Sequence, residues 1–503
     1  MAWDWTRAVP LGLEWLWAGG GAACLLAAGT LALRPRFSEK LEGSSKTMDR
    51  LALLGLGLLL PALFALFKLA QFHRFELMWD SGVMANLAFN AAHGDGLTSS
   101  VIAGRSYLSV HFAFTVALLA PLVRLWPSTA VLALAHGLAV GSAAYAAYRL
   151  GWKVCGGPWA GWMIALLAAS HPFFHDIEGS VLDNSIFALP LFLWGALAWE
   201  SGRRGWALLC ALLLLTTRET MPLLFAGLGL YGLLRTDDRR ARAACLGLIA
   251  LSAALLFAEL KIIERAREGF QGQDPWHLFK ASGGSPVAVL LRPWALAWPP
   301  GKLLPLLKAL LGLGFLPLAA GATLLPAFLL WLPQGLADGG TMYNALIGHN
   351  AVYVFGPLVW ACAHGLRRLG RRAWLAPVLL AVSGVGFLRS ARFLMPPGMN
   401  PAAWRQAGPR AMAHIPPDAP LWCDEFFLPH LGMRRQVKSL MRTGDPYFEP
   451  GLFSPERVLY SEHWARLTEP AVRERVFSEL RERGFIEVFR EGDLVVLADP
   501  KSL

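Results

Sequence analysis

Charge is what this sequence has little of. Asp, Glu, Lys and Arg make up 16% of its 503 residues, against roughly 25% in a soluble chain. The shortfall comes in blocks: Leu51 to Phe67 runs seventeen residues without a charged side chain. Blocks of that kind, repeated along most of the chain, exclude an ordinary soluble enzyme and read as many transmembrane helices. Cysteine is scarce too. Cys24, Cys155, Cys210, Cys245, Cys362 and Cys423 lie far apart, with no C-x-x-C pair and no Cys/His set at zinc spacing, so they read as small core residues. The start of the chain lacks the charged, apolar, small-residue pattern of a cleaved signal peptide, so the first apolar segment is expected to stay in place. Matched inverted repeats, the mark of many transporters, are missing as well.

What charge there is has a location. The formal net charge is +11, from 46 Lys and Arg against 35 Asp and Glu. From Met395 onward the counts are 14 and 15, which leaves 32 basic and 20 acidic residues in the apolar part. The basic ones cluster in short connections, Arg34 to Arg50, Arg235 to Arg242 and Arg367 to Arg372. That is the positive-inside signature of cytoplasmic loops, not a groove for a phosphate backbone. A nucleic-acid partner is excluded.

The apolar pattern predicts spans over 11–33 and 51–72, and apolar segments near 111–126, 130–149, 158–174 and 184–200. Strict alternation through these four places Lys153 and Arg203-Arg204 on the wrong face for the charge rule, which a half-span or tight hairpin among them would repair. The thirty residues from Gly205 to Leu234 read as two spans meeting at T-T-R-E-T, followed by one over 245–263. A proline-rich hairpin over 303–332 turns near Leu316-Pro317, and further spans cover 342–364 and 374–387. The expected fold is an all-α polytopic membrane protein of about 11–13 transmembrane helices, with a small C-terminal soluble α/β domain. The expected organisation is N-terminal helices over 1–74, an external loop over 75–110, a helical core over 111–390 and the soluble domain over 391–503.

Between the second span and His111 the chain concentrates the polar residues that membrane proteins avoid near lipid. Trp79 and Asp80 follow the span directly, and an ionisable residue held at a membrane is a functional candidate. Ser81 to His93 predicts a short helix lying on the membrane, with Val83, Leu87 and Phe89 down and Asn86 and Asn90 up. In the tail, a strand follows I-P-P-D-A-P, E-R-V-F-S-E-L-R-E-R-G-F has helical spacing with a glycine stop, and I-E-V-F-R-E-G-D-L-V-V-L-A alternates as a hairpin.

Several runs together resemble a known family. W-D-S-G-V-M-A-N-L-A-F-N, H-F-A-F, S-H-P-F-F, L-D-N-S-I-F-A-L-P-L, T-T-R-E-T, M-Y-N-A-L-I-G-H-N and F-L-P-H-L-G-M-R-R-Q, in this order and spacing, are similar to bacterial membrane proteins of the DUF2079 family. Its members look like C-type (GT-C) glycosyltransferases. The resemblance implies a polyprenyl-phosphate-linked sugar donor, a glycan, lipid or protein acceptor in the cell envelope, and an acidic base or metal ligand in the first external loop. Asp80 is the residue that matches by position. The same likeness implies a bacterial inner membrane location, surrounded by membrane lipid; counting spans from the basic connections as cytoplasmic puts Asp80 and the C-terminal part on the periplasmic side. Two motifs depart from the family: Asp183 stands where a histidine is usual, and Arg218-Glu219-Thr220 where Lys-Glu-Asp is usual.

These residues carry a consistent chemistry. Transfer from a lipid phosphate needs an acceptor nucleophile deprotonated beside an anionic leaving group, and a partly buried carboxylate can take that proton. Asp80 is the expected catalytic base; the alternative is a cap on the helix starting near Ser81. Arg218 is expected to meet the phosphate, or else to form a structural pair with Asp183 or Asp176, because a buried guanidinium without a partner is costly. Trp79, His111, Asp183, Arg218, Glu219 and His349 are the expected substrate-binding set. His111, His171, His175 and His349 with Asp80, Asp176 and Asp183 offer donors for a possible divalent metal, although Pro172 between His171 and His175 argues for a broken helix. In the tail, Asp424, Glu425 and His430 are candidates to touch an acceptor. A flippase of lipid-linked saccharides and a non-catalytic scaffold are the rival readings.

Overall fold

The structure is a computed structural model that describes residues 45–267, 304–336, 346, 348–370, 403–440, 453–467 and 470–503. The expected spans over 11–33 and 374–387, and most of the loop over 264–300, lie outside these residues.

The apolar run after Ser45 forms α1, Ser45–His73, with a π-helical stretch over Leu53–Leu59. It packs along α4, Thr129–Cys155. The two backbones touch because Gly137 and Gly141 recur one turn apart. A Cβ on Gly137 would lie 2.4 Å from the Ala65 backbone, and one on Gly141 the same distance from Pro61. Small residues at this spacing let membrane helices approach closely. Between α1 and α4 come α2, Trp79–His93, a hairpin of β1, Thr98–Ser99, and β2, Arg105–Ser106, and the short α3, Thr115–Leu125. The chain continues through α5, Pro158–Ala169; α6, Pro172–Gly179; α7, Ala188–Glu200; α8, Arg204–Leu215; α9, Met221–Leu233; and α10, Arg239–Ala266. Beyond residue 303 come α11, Leu304–Gly312; α12, Leu325–Leu336; and α13, Val352–Leu369. Among the described residues, α1, α4 and α10 are long and apolar enough to cross a membrane; α3, α5, α8 and α9 are shorter apolar helices.

The expected spans are recognisable, with shifts. T-T-R-E-T separates α8 from α9, and Pro172 opens α6 after a break at Ser170-His171. Of the span placed over 342–364, residues 342–345 and 347 lie outside the described ones; a 3-10 turn at Gly348–Ala351 leads into α13, which runs on to Leu369. The segment over 111–126 is not a span. Its helix α3 has eleven residues and packs against α2, beside the polar loops.

That short helix settles the charge parity. One end of the bundle gathers the basic connections. Arg149 lies 3.9 Å from Asp49, Cys155 Sγ donates to Ala363 O, and Glu200 accepts from Trp360 and His364 at 3.0 Å each. Arg204 stacks on Trp199 and Arg235 on Tyr231, whose ring meets Trp360. Lys153, Arg203, Arg204, Arg235, Arg367 and Arg368 therefore share one end. The opposite end carries α2, the β1–β2 hairpin and the tail.

The tail contains α14, Trp404–Ala413, and a five-stranded sheet in the order β4-β3-β5-β7-β6. Its strands are β3, Leu421–Cys423; β4, Val437–Ser439; β5, Arg457–Ser461; β6, Ile486–Glu491; and β7, Leu494–Ala498. β3 is parallel to β4 and β5, and the β6–β7 hairpin is antiparallel, as the alternation predicts. The predicted helix is there, Pro470–Glu482, stopped by Gly484 at φ 73°. One face of the sheet shares a single apolar core with α2, the following loop and the start of α4.

This contact corrects the expectation of a surface-lying helix. α2 is buried along most of its length, Val83, Leu87, Asn86 and Asn90 included. A Cβ on Gly82 would lie 2.4 Å from Leu428 Cβ. Asn86 Nδ2 donates to Gly432 O at 3.0 Å and to Arg434 O at 2.6 Å, while its Oδ1 accepts from Ser99 Oγ and Ser100 N. The polar side that looked like a water-facing surface is the side the tail covers.

Candidate functional site

Arg74, Phe75, Glu76 and Leu77 turn the chain from α1 into α2. Phe75 adopts φ 58°, a conformation unfavourable for a bulky residue, and is held there by Trp404, Phe427 and His430 of the tail. Met78 is the N-cap of α2 and makes no side-chain cap bond. Asp80 is therefore inside the first turn and not the cap, half-buried, where a carboxylate complements the helix dipole. Trp79 packs against the core shared with the tail. Ser81, the next residue, accepts from Leu182 N at 2.9 Å, which brings the loop after α6 beside Asp80.

That loop carries Asp183. The residue caps the 3-10 turn Asn184–Phe187; its Oδ1 accepts from Ser185 N at 2.8 Å and from Ser185 Oγ. Arg218 Nη1 lies 3.7 Å from the same oxygen, and Arg218 Nε lies 3.6 Å from Glu219 Oε1. Glu219 Oε1 is also 3.0 Å from His111 Nδ1, and its Oε2 accepts from Phe112 N at 3.2 Å. An unbroken line of Asp183, Arg218, Glu219 and His111 thus crosses the end of the bundle.

The electrostatics follow from this line. Burial opposes ionisation of Asp183, but the charges of His349 and Arg218 and the Ser185 bonds hold its carboxyl well below the usual range. Glu219 is also held low against its burial, by His111 and Arg218. Burial and then the Arg218 charge lower His111, so its ring is neutral at pH 7 and Nδ1 donates to the carboxylate. His349 belongs to the site through its field on Asp183.

Three loops are tied together around these groups. Val116 N donates to Asn184 Oδ1 at 2.7 Å, Phe114 N to Thr216 O at 2.8 Å, and the Thr115 and Thr216 hydroxyls are 2.9 Å apart. Arg267, at the end of α10, donates to Ser109 O and Val110 O.

Of the residues singled out in the sequence, Asp183, Arg218, Glu219 and His111 meet directly, and His349 faces them. Asp80 joins through Tyr107, a residue the sequence reading missed. Burial, then Asp183, with Asp80 and Glu219 adding to it against Arg218, pushes the Tyr107 phenol well above its usual range. Its hydroxyl is thus where the field of Asp80 and that of the Arg218 line overlap. Position in a loop with eight tyrosines in the whole chain was too weak a signal to find it. Arg267 was missed as well.

Other candidates go elsewhere. His171 Nε2 donates to Ala309 O at 3.0 Å and its Nδ1 accepts from Phe173 N, a structural role at the helix break. Among the described residues no group of three or more His, Cys, Asp or Glu side chains is arranged to hold a metal ion. In the tail, His430 is stacked on Phe72 and Phe75. Asp424 is buried, accepts from Ser461 N at 2.6 Å, and is pushed by burial up to about 8. Asp424 is thus a core residue, while His430 is half-buried among aromatic rings.

A helical membrane bundle with a polar, loop-built site at one end is the class this geometry defines, and its fold is that of a solved structure. ArnT from Cupriavidus metallidurans bound to undecaprenyl phosphate superposes with a TM-score of 0.54 at 13% identity, covering 89% of this chain and 98% of that one. The apo form from the same organism matches at 0.47 and 14% identity, over 88% and 98%. The GT-C-like architecture expected from the sequence is thus the fold of this protein. The chain belongs to the DUF2079 family of predicted membrane proteins, whose model matches residues 76–484. No curated protein matches it.

Proposed function

We propose that this protein is a membrane glycosyltransferase that moves a sugar from a polyprenyl-phosphate carrier to an acceptor of the bacterial cell envelope. The observation that carries the reading is the state of Arg218. Its two ion pairs, at 3.6 and 3.7 Å, are longer than hydrogen bonds. Among the described residues the guanidinium is held in place and charged, with N–H groups left for an anionic ligand. ArnT, which shares the fold, was crystallised with undecaprenyl phosphate, a lipid of the required kind.

In this reaction the acceptor hydroxyl oxygen bonds to the anomeric carbon as the bond from that carbon to the phosphate oxygen breaks. Asp80 takes the hydroxyl proton. Arg218 receives the charge that appears on the leaving phosphate, steadied by Asp183 and Glu219. His111 and His349 bound the site on either side, and Trp79 supplies an apolar wall for the sugar. The site end faces the periplasm of the inner membrane, and the tail stands over it as the acceptor-side domain.

The test is release of radiolabelled sugar from a panel of polyprenyl-phosphate donors in proteoliposomes, comparing wild type with Asp80→Asn. Turnover by wild type that falls by about 100-fold or more in a folded Asp80→Asn protein is the expected result. Turnover that survives the substitution sinks the base. No turnover with any donor counts against the enzyme.

A further inference from the structure

The interior of α1 carries one lysine in its apolar run. Lys68 is fully buried, in a segment otherwise free of charge from Leu51 to Phe67. Its Nζ donates to Glu178 O and, at 2.8 Å, to Ser180 O. One turn on, Gln71 Nε2 donates to Gly179 O at 3.4 Å. Three consecutive carbonyls at the end of α6, which the helix itself leaves without partners, are thus taken by two side chains of α1. Beyond them, Leu182 N donates to Ser81 Oγ, beside Asp80, and Asp183 faces Arg218.

We propose that Lys68, assisted by Gln71, is a positioning residue that sets the Asp183 loop against Asp80 and Arg218. An ammonium in this place is not there for stability, since an apolar residue of similar volume packs a membrane interior without desolvating a charge. What it supplies is three-point control, from a second helix, of the turn between α6 and Leu182, where the Ser180 hydroxyl adds only a local bond to Ile177 O. The Glu178 carboxyl, whose Oε2 lies 3.6 Å from His136 Nε2, is buried in the same region. The inference rests on the transfer reading for its catalytic consequence but not for its structural one.

Lys68→Met tests it, together with Lys68→Met/Glu178→Gln, which removes both charges in case the single variant fails to fold. Hydrogen exchange on the purified full chain is expected to rise about tenfold over residues 179–185 in either variant, the factor that loss of one or two such bonds implies. Gln71→Leu is expected to give a smaller rise over the same residues. With the melting temperature kept, kcat for the donor should fall by about 100-fold at little changed KM, the effect of a misplacement near 1 Å. Unchanged exchange in a folded double variant overturns the proposal whatever the turnover does, and so does raised exchange with full kcat. If wild type transfers no sugar, the transfer reading falls, and raised exchange with unaltered melting still establishes the anchor.

Discussion

Arg218 sits between two carboxylates and is fully bonded to neither. The arrangement costs desolvation on three groups, and the ion pairs offset it only while all three are present. Arg218→Met should therefore lower stability by about 3 kcal/mol, seen as an earlier thermal transition in detergent, because Asp183 and Glu219 are left facing each other. The pH dependence should change sign with it. In wild type both carboxyls are held low, so their contribution is complete above the unfolded value of about 4 and is lost only as pH falls towards the folded ones. Without the guanidinium, burial and mutual repulsion raise at least one of them. The variant is then most stable in acid and loses stability as pH rises through neutral. A variant whose melting temperature is flat from pH 5 to 8 would show that Arg218 does not control these groups.

At the scale of elements, α2 shows where the sequence can and cannot be read. Its existence was legible from Trp79 to His93, as were the two helices on either side of T-T-R-E-T and the β6–β7 hairpin, because each is written in local spacing. Its environment was not. A helix with Asn86 and Asn90 on one side looks the same whether that side meets water or a tail more than three hundred residues away. The same limit applies to the site: Asp183, Arg218 and Glu219 announce themselves as charges among apolar residues, whereas Tyr107 acquires its role only when two loops meet. Asn86→Ala tests the buried reading of α2. It leaves the Gly432 and Arg434 carbonyls and the Ser100 N–H without their partner, and should cost about 2–4 kcal/mol. The check is limited proteolysis, with the tail released sooner than from wild type. A helix lying on the membrane would tolerate the change.

Across the whole molecule, the charge rule and the geometry agree because α3 turns back. With that segment removed from the list of spans, Lys153, Arg203-Arg204, Arg235 and Arg367-Arg368 fall at one end, and α2, the Arg218 line and the tail at the other. In a background without the native cysteines, Arg203→Cys and Arg240→Cys should react with an impermeant maleimide only after the inner membrane is opened. Arg466→Cys, on the exposed surface of the tail, should react once the periplasm is reached. Labelling of all three from the same side would contradict the orientation. The bonds of Asn86 also impose a schedule on synthesis. Its partners Gly432 and Arg434 lie 346 and 348 residues downstream, a gap on the order of 20–70 s at ordinary translation rates. During that interval the Oδ1 of Asn86 can already be bonded by Ser99 and Ser100, but its Nδ2 has not yet met its tail partners. Synthesis of the tail, and not insertion of the first helices, is then the event that completes the packing around the helix bearing Asp80.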